Sequence, residues 1–392
     1  MKKQKVCIIG GGLAALMTAV ALSKLNLEID LVMNNDSSKN INSPRTLAIS
    51  QNNYNFLKSL KIDSLLANEF WPCINMKLYS GEKNEKINQI FEMTKNKKEK
   101  KIFYMIKYSK LIKSIKKSIS KNKSINCNIK KKFFSISNSD FLRSVKIKKK
   151  NSKYNLIIVC AENLITNEND LFKNKLTFRP YNEYAITTII KHQSIKNNTA
   201  RQLFIGDEVL ALLPISKNET SIVWSVKKNA IESKVEKNNL FIKNKIKHYT
   251  NTFFKKIKSF SKIELNDLNF CVRSKYYKDR ILLFGDILHK VHPLTGQGFN
   301  MVLRDILNLE KILKNKIDLG LDIGSSEILE EFSKKAKPIN LTYSFGIDFL
   351  RNCFSNENKS INKIRDKIIQ NLNKNVLVKE AFYKIANIGS KF

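Results

Sequence analysis

The chain has 392 residues, 42% of them hydrophobic, and carries 71 Lys and Arg against 34 Asp and Glu, a formal net charge of +37. That apolar fraction excludes a solvated, disordered tail, and the length suffices for one large core or two interleaved domains. The basic excess suggests nucleic acid or an anionic membrane surface, but Lys, Asn and Ile abound throughout, as A+T-biased coding gives, and no RNA-module or finger signature accompanies the charge, so nucleic acid is set aside as a partner.

At the N-terminus, Lys2, Lys3 and Lys5 precede an apolar run from Val6 to Leu22, a pattern shared by secretory signals and by buried βαβ units. Three consecutive glycines, Gly10, Gly11 and Gly12, favour the second: Val6 to Ile9 reads as a strand, Gly10 to Ala15 as a G-x-G-x-x-A turn, Leu13 to Leu25 as a helix and Ile29 to Met33 as the next strand. Gly10 and Gly12 let the backbone approach a pyrophosphate, and Ala15 lets helix and strand close up. The acid expected after the second strand to bind ribose hydroxyls is replaced by Met33, which leaves Asn34 or Asp36 to substitute.

Arg45 stands just before a further apolar segment, where it reads either as a pyrophosphate clamp or as a solvated surface arginine. A helical pattern follows through Tyr54, Leu57 and Leu60. Residues 81 to 101 read as a polar excursion, and Lys107 to Ile119 as a basic helix. The unbroken run Leu156 to Cys160 predicts another buried parallel strand, ending at Glu162 and Asn163.

Between Tyr181 and Cys271 short β-rich runs broken at Gly206-Asp207 and Lys217-Asn218 predict an antiparallel meander. Ile281 to Phe284 is a fourth apolar strand. It runs into Gly285-Asp286 and the loop His292 to Asn300, ahead of a helix marked by Phe299, Val302, Leu303, Ile306, Leu309 and Leu313. Strand, acid, glycine-rich loop and helix together suit a phosphorylated, sugar-bearing cofactor, since the acid takes hydroxyl protons and bare amides take anionic oxygens. From Glu327 onward the pattern is helical, and no apolar run reaches the roughly 20 residues a membrane span needs.

The fold class predicted is α/β: a Rossmann-like dinucleotide-binding domain, FAD-binding by the resemblance given below, with an inserted antiparallel β-sheet substrate domain and C-terminal helices. The boundaries are 1–70, 101–180 and 272–330 for the first, 71–100 and 181–271 for the second, and 331–392 for the helical region. Six cysteines lie far apart with no C-x-x-C pair, as for reduced thiols in a cytosolic protein, and the neighbours His289 and His292 lack the partners of a metal site.

Gly285, Asp286, His289, Pro293, Gly296, Gln297, Gly298, Asn300 and Asp305 fall in a G-D-x-x-H-x-x-x-P-x-x-G-Q-G-x-N-x-x-x-x-D pattern. With the Gly10 to Ala15 turn and Arg45 to Ser50, this resembles the class A flavoprotein monooxygenases, and within them the ubiquinone-biosynthesis hydroxylases. The resemblance implies FAD held by Gly10, Gly12, Ala15, Asn34, Arg45 and Asp286, with Gly296, Gln297, Gly298, Phe299 and Asn300 beside the flavin ring, and His292, Pro293 and Gly296 at the reacting centre. It implies hydroxylation of a polyprenylated phenol or quinone precursor, with NAD(P)H and O2, through a flavin C4a-hydroperoxide. It also implies a cytoplasmic protein peripheral to the inner face of an anionic membrane, alongside other quinone-biosynthesis enzymes. The family's Asp-Gly motif after the middle strand is replaced by Glu162-Asn163. Competing expectations are a reductase or halogenase on the same fold, or a noncatalytic scaffold subunit.

Overall fold

The computed structural model describes residues 3–34, 42–62, 64–66, 68–83, 85, 87–94, 101–130, 135–139, 142–147, 150–161, 176–231, 239–356 and 358–380. Asp36, Glu162 and Asn163 lie outside them. The Gln4–Ile9 strand is flanked in parallel by Leu27–Asn34 and Leu156–Val159, and the layer is extended in parallel by Ile125–Lys130 and Ile281–Leu283. Both faces of this sheet are covered, so its strands are continuous runs of Val, Ile and Leu rather than alternating ones. Helix α1 (Leu13–Leu22) is buried along its entire length against the sheet. This explains why its sequence mimics a signal peptide: a helix covered on all sides has no polar face to show.

The Thr46–Ser50 strand leads into α2 (Gln51–Ser59), whose N-cap hydroxyl, from Ser50, accepts from the Asn53 N–H. That strand pairs antiparallel with Phe103–Lys107, which runs directly into the basic helix α3 (Tyr108–Ser120). Residues Leu111, Ile112, Ile115 and Ile119 form its buried stripe, and α3 packs on α1.

The second layer is a nine-stranded sheet with the Leu176–His192, Glu219–Lys227, Glu208–Pro214 and Thr199–Ile205 meander at its centre. Alternation divides its two faces. Ile186, Ile190, Leu203, Leu210, Leu212, Ile222 and Trp224 pack against Ile242, Ile246 and Tyr249 of α4 (Asn239–Thr250). The meander pattern hid this helix, because its apolar residues are few and separated by lysines and asparagines. Asn88–Thr94 is also a strand of this sheet, with Ile90, Phe91 and Met93 buried, where the sequence read as a polar excursion. Its dense lysine neighbours masked a short alternating run.

Three helices close the chain: α5 (Gly298–Asp318), α6 (Ser326–Phe354) and α7 (Lys359–Asn373). Behind the glycine loop, buried Asp305 accepts from Asn340 Nδ2 at 2.8 Å and meets His289 Nε2 at 3.3 Å, while Arg304 bonds the Asn340 side-chain oxygen. This polar knot joins α5, α6 and the His289–Lys290 strand. Among the described residues no helix is long and apolar enough to cross a membrane.

Candidate active site

The carboxyl ends of the parallel strands gather on one edge, where an open α/β sheet meets its ligand. Gly10 has φ +145°, and a Cβ there would come within 3.1 Å of Cys160 Cβ and 3.2 Å of Ala15 Cβ. The turn therefore fits only glycine, and it lets the α1 N-terminus sit close over the edge. Gly12 is the N-cap of α1, with no side-chain cap and no acid in the first turn, and a Cβ on it would meet nothing within 4 Å. The first amides of α1 thus face open space with their dipole unopposed.

Gly285 is needed for a different reason. Its φ is +73°, and a Cβ would lie 2.5 Å from that of Ala14. This close approach carries exposed Asp286 to the mouth of the α1 turn. Arg45 comes to the same edge from the other side: its guanidinium lies 4.5 Å from the Tyr108 ring centroid, and its Nε donates to Ser43 Oγ at 3.3 Å. These partners are neutral, so the positive charge stays available. Burial, resisted by Arg45 and reinforced by the Asp286 charge, pushes the Tyr108 hydroxyl up. Arg45, Tyr108 and Asp286 therefore share one electrostatic neighbourhood. Nothing in the spacing of the sequence announces Tyr108 as the support of Arg45.

The glycine loop makes the other half of the site. Gly296 adopts φ +62°, and a Cβ on it would stand 3.2 Å from Ala48 Cβ. Gln297 caps α5 without a side-chain bond, so the amides of Gly298, Phe299 and Asn300 also lack a capping side chain. Asn300 was expected to touch the cofactor. Its side chain is instead spent on structure: Oδ1 accepts from Ser50 N at 3.0 Å and Asn53 Nδ2 at 2.9 Å, and Nδ2 donates to Ala48 O at 2.8 Å and Gly296 O at 3.2 Å. It staples the Arg45 to Ser50 segment to the loop. Pro293 opens the short helical turn Pro293–Thr295.

His292, expected at the reacting centre, requires a correction. Its Nδ1 accepts from the Leu294 amide at 3.2 Å, which leaves Nε2 to donate to Glu183 Oε2 at 3.1 Å. The side chain has no exposed surface, and no ring nitrogen remains for a ligand. His292 fastens the loop to the sheet. Glu183 also pairs with Arg351 of α6, whose guanidinium sits 4.9 Å from the Tyr181 ring, and Tyr181 donates to Asp348 at 2.9 Å. Burial pushes the Glu183 carboxyl up, but the bonds from His292 and Arg351 outweigh it and hold it below its usual 4.5.

A carboxyl lowered on folding contributes stability above its unfolded value, and that contribution is lost as pH falls through the folded value. Glu183→Gln is therefore expected to lose about 3 kcal/mol at neutral pH, because Arg351 is left unpaired. Its Tm should also fall less steeply than that of the native protein below pH 4.5, as followed by thermal melts across pH. Equal slopes for both proteins would contradict this role.

The residues present fit a dinucleotide with a planar ring. Gly12 leaves room for the phosphates at a bare helix N-terminus, and Asp286 is exposed beside it. At the glycine loop the hydroxyls of Thr46 and Thr295 are buried without a partner, near the place where a Cβ on Gly296 would come within 3.2 Å of Ala48 Cβ. Asn34 ends the second parallel strand at the same edge, and Met33 before it is buried. Among the described residues no group of His, Cys, Asp or Glu could hold a metal.

This parallel sheet with an antiparallel sheet over its ligand edge is the fold of the class A flavoprotein monooxygenases. It aligns with p-nitrophenol 4-monooxygenase PnpA of Pseudomonas putida at a TM-score of 0.74, 13% identity and 99% coverage of both chains. Klebsiella pneumoniae HpxO, solved with FAD and uric acid, gives 0.72, 11% identity, 98% of this chain and 96% of the other. The family model described as squalene epoxidase matches residues 155–381, and the chain belongs to that family.

Among curated relatives, the chain is similar to the mitochondrial ubiquinone biosynthesis monooxygenase COQ6 of Xenopus tropicalis, 27% identical over 241 residues, covering 53% of this chain and 52% of the relative. It is also similar to the ubiquinone hydroxylase UbiL of Rhodospirillum rubrum, 26% identical over 177 residues, covering 45% and 41%. The Saccharomyces cerevisiae COQ6 is 46% identical over a shorter stretch of 66 residues, 17% of this chain and 14% of the relative. The chain thus spans about half the length, or less, of these relatives.

Proposed function

We propose that the protein is an FAD-dependent monooxygenase that hydroxylates the ring of a polyprenylated phenol in ubiquinone biosynthesis, with NAD(P)H and O2 as co-substrates. The observation that carries this reading is the pairing of two uncapped helix N-termini, at Gly12 and Gly298, with Asp286 and Arg45 on one sheet edge. The similarity to ubiquinone hydroxylases supports the substrate class.

In this reading Gly10, Gly12 and Ala15 shape the pyrophosphate turn, and the α1 amides with Arg45 bind its charge. Asp286 accepts from sugar hydroxyls, and Asn34 stands where the adenosine ribose is expected. The amides of Gln297 to Phe299 hold the negative edge of the ring, as a preorganised helix N-terminus does without reorganisation, while that of Gly296 donates to Pro293 O within the turn. Bound there, reduced flavin would activate oxygen for insertion into an electron-rich ring. The chain's own part is to orient that ring and exclude water, to which the buried apolar cluster of Leu294 with Phe204 and Val209 contributes. Purified protein should show flavin absorbance and convert the phenol to a product with one added oxygen; a flavin-free protein that leaves the phenol unchanged would refute the reading.

We also propose peripheral attachment to the inner face of an anionic membrane, where a prenylated substrate resides. Support comes from α7, where Ile361, Ile364, Ile368 and Leu372 are exposed on one face beside Lys363 and Lys367. Binding to vesicles containing anionic lipid should exceed binding to neutral ones, and the double variant Ile364→Asp, Ile368→Asp should abolish it. Retention by that variant would remove α7 from the contact.

A further inference from the structure

The sheet face turned toward the glycine loop carries two buried polar groups that the cofactor site does not use. Strand pairing sets Leu78, Gln202, Ala211, Val223 and Thr187 in one row across the sheet. The neighbouring row holds Ala200, Leu213, Ser221 and Ile189, read from the same register. Both rows lie on the face opposite α4, because their alternate neighbours Leu203, Leu210, Leu212, Ile222 and Trp224 pack under that helix.

Contacts at either end place these rows under the proposed ring site. Phe204 and Val209, one row beyond Gln202, pack on Leu294 of the loop. Ala200 and Leu213 pack with Ala48, which Gly296 approaches, and with Trp71. Between those contacts Ala211, Leu213 and Val223 keep partial exposure, although they sit on central strands beneath a covering layer. Those three side chains are therefore the part of this face left open between the two contacts.

Gln202 is 5% exposed and Ser221 fully buried, yet the Gln202 amide nitrogen and the Ser221 hydroxyl have no hydrogen-bond partner. Buried polar groups left unpaired destabilise the fold, so two on one face mark a place where a ligand's polar atoms belong. The character of the ligand follows from charge. From Leu78 to Thr187 and from Ala200 to Ile189 the rows contain no ionisable residue; beyond Thr187 the first row reaches only an acid, Glu264, whose carboxylate accepts from Ser43 Oγ at 2.7 Å. Arg201 points to the other face and stacks on Phe253, and Lys107, which reaches the next row, is paired with Glu219 at 2.7 Å. A neutral donor on an uncharged face suits a neutral ring oxygen and gives a carboxylate nothing to pair with.

We infer that Gln202 and Ser221 form the polar anchor for the substrate ring, with the Gln202 amide donating to a ring oxygen, and that this anchor selects an uncharged oxygenated ring over an aromatic acid. The inference rests on the reading of the site as a ring hydroxylase and names the contacts that give it specificity.

The test is equilibrium binding to the flavin-loaded protein, read from flavin absorbance, with three probes: a 2-prenylphenol bearing one five-carbon tail, prenylbenzene and 4-hydroxybenzoate. The native protein is expected to bind the phenol at least tenfold tighter than either of the others. Gln202→Leu should lose about tenfold in affinity for the phenol, leave prenylbenzene unchanged and keep or raise the Tm, because it removes an unpaired buried amide; Ser221→Ala should act in the same direction. Unchanged phenol affinity in Gln202→Leu overturns the inference alone, as does a parallel fall in Tm and in binding of both neutral probes. Native protein that binds none of the probes overturns the inference together with the hydroxylase reading.

Discussion

Replacing Gly12 by alanine is expected to weaken FAD binding on the order of a hundredfold, about 2.7 kcal/mol, while changing the stability of the cofactor-free protein by less than about 1 kcal/mol. The separation of the two effects is the point. Gly12 has an ordinary negative φ of −82°, and a Cβ on it meets no atom within 4 Å, so the folded chain tolerates the methyl group. The space that the methyl enters is the space a pyrophosphate needs in order to reach the first amides of α1. Gly285→Ala provides the contrast, since its Cβ would lie 2.5 Å from that of Ala14 at a φ of +73°. That variant should lose folded stability, by several kcal/mol, as well as the cofactor. Thermal melts of the apoprotein with titration by FAD distinguish the two, and a Gly12→Ala protein with native affinity would show that no phosphate lies against this turn.

Asn300→Ala is expected to have the largest effect on stability, a loss of about 3–5 kcal/mol. Removal of this 6% exposed side chain leaves the Ser50 amide and the Ala48 carbonyl without the partners seen here, and strips the Asn53 amide of one of its two acceptors. Because those groups lie between Arg45 and α2, the loss also frees the Arg45 segment from the Gly296 loop. FAD affinity should fall with stability, in contrast to Gly12→Ala. Asn300→Asp should not rescue the protein: it keeps the acceptor oxygen but turns a carboxylate toward the carbonyls of Ala48 and Gly296. A denaturant midpoint within experimental error of the native one in Asn300→Ala would contradict the staple.

The parallel sheet was legible in the sequence because burial on both faces writes itself as unbroken apolar runs, at Val6 to Ile9, Leu156 to Val159 and Ile281 to Leu283. The glycines were legible too: Gly10, Gly285 and Gly296 stand at positive φ and at close approaches that a side chain would strain, and Gly12 leaves open space before the first amides of α1. What could not be read was the use made of side chains across long separations. His292 stands just before Pro293 of the glycine-loop pattern and invites a catalytic role, but Glu183, on a strand of the other sheet, takes its free nitrogen. Tyr108 gives no sign in its own surroundings that it carries Arg45. Gln202 sits in the run Arg201 to Ile205, and only the strand register shows that its amide and Ser221 share one uncharged face. Helix α4 escaped notice for a simpler reason: its buried residues, Ile242, Ile246 and Tyr249, are too sparse among lysines to dominate the pattern.

The most direct test of the central proposal is the origin of the new oxygen. Purified, flavin-loaded protein would be incubated with a short-chain prenylated phenol and NAD(P)H under 18O2, and the product examined by mass spectrometry. One labelled oxygen in the ring product, with label absent when 16O2 is used in labelled water, is the predicted result. Oxidation of NAD(P)H with no oxygenated product, or a ring oxygen drawn from water, would contradict a monooxygenase built on the Gly12, Asp286 and Gly296 site.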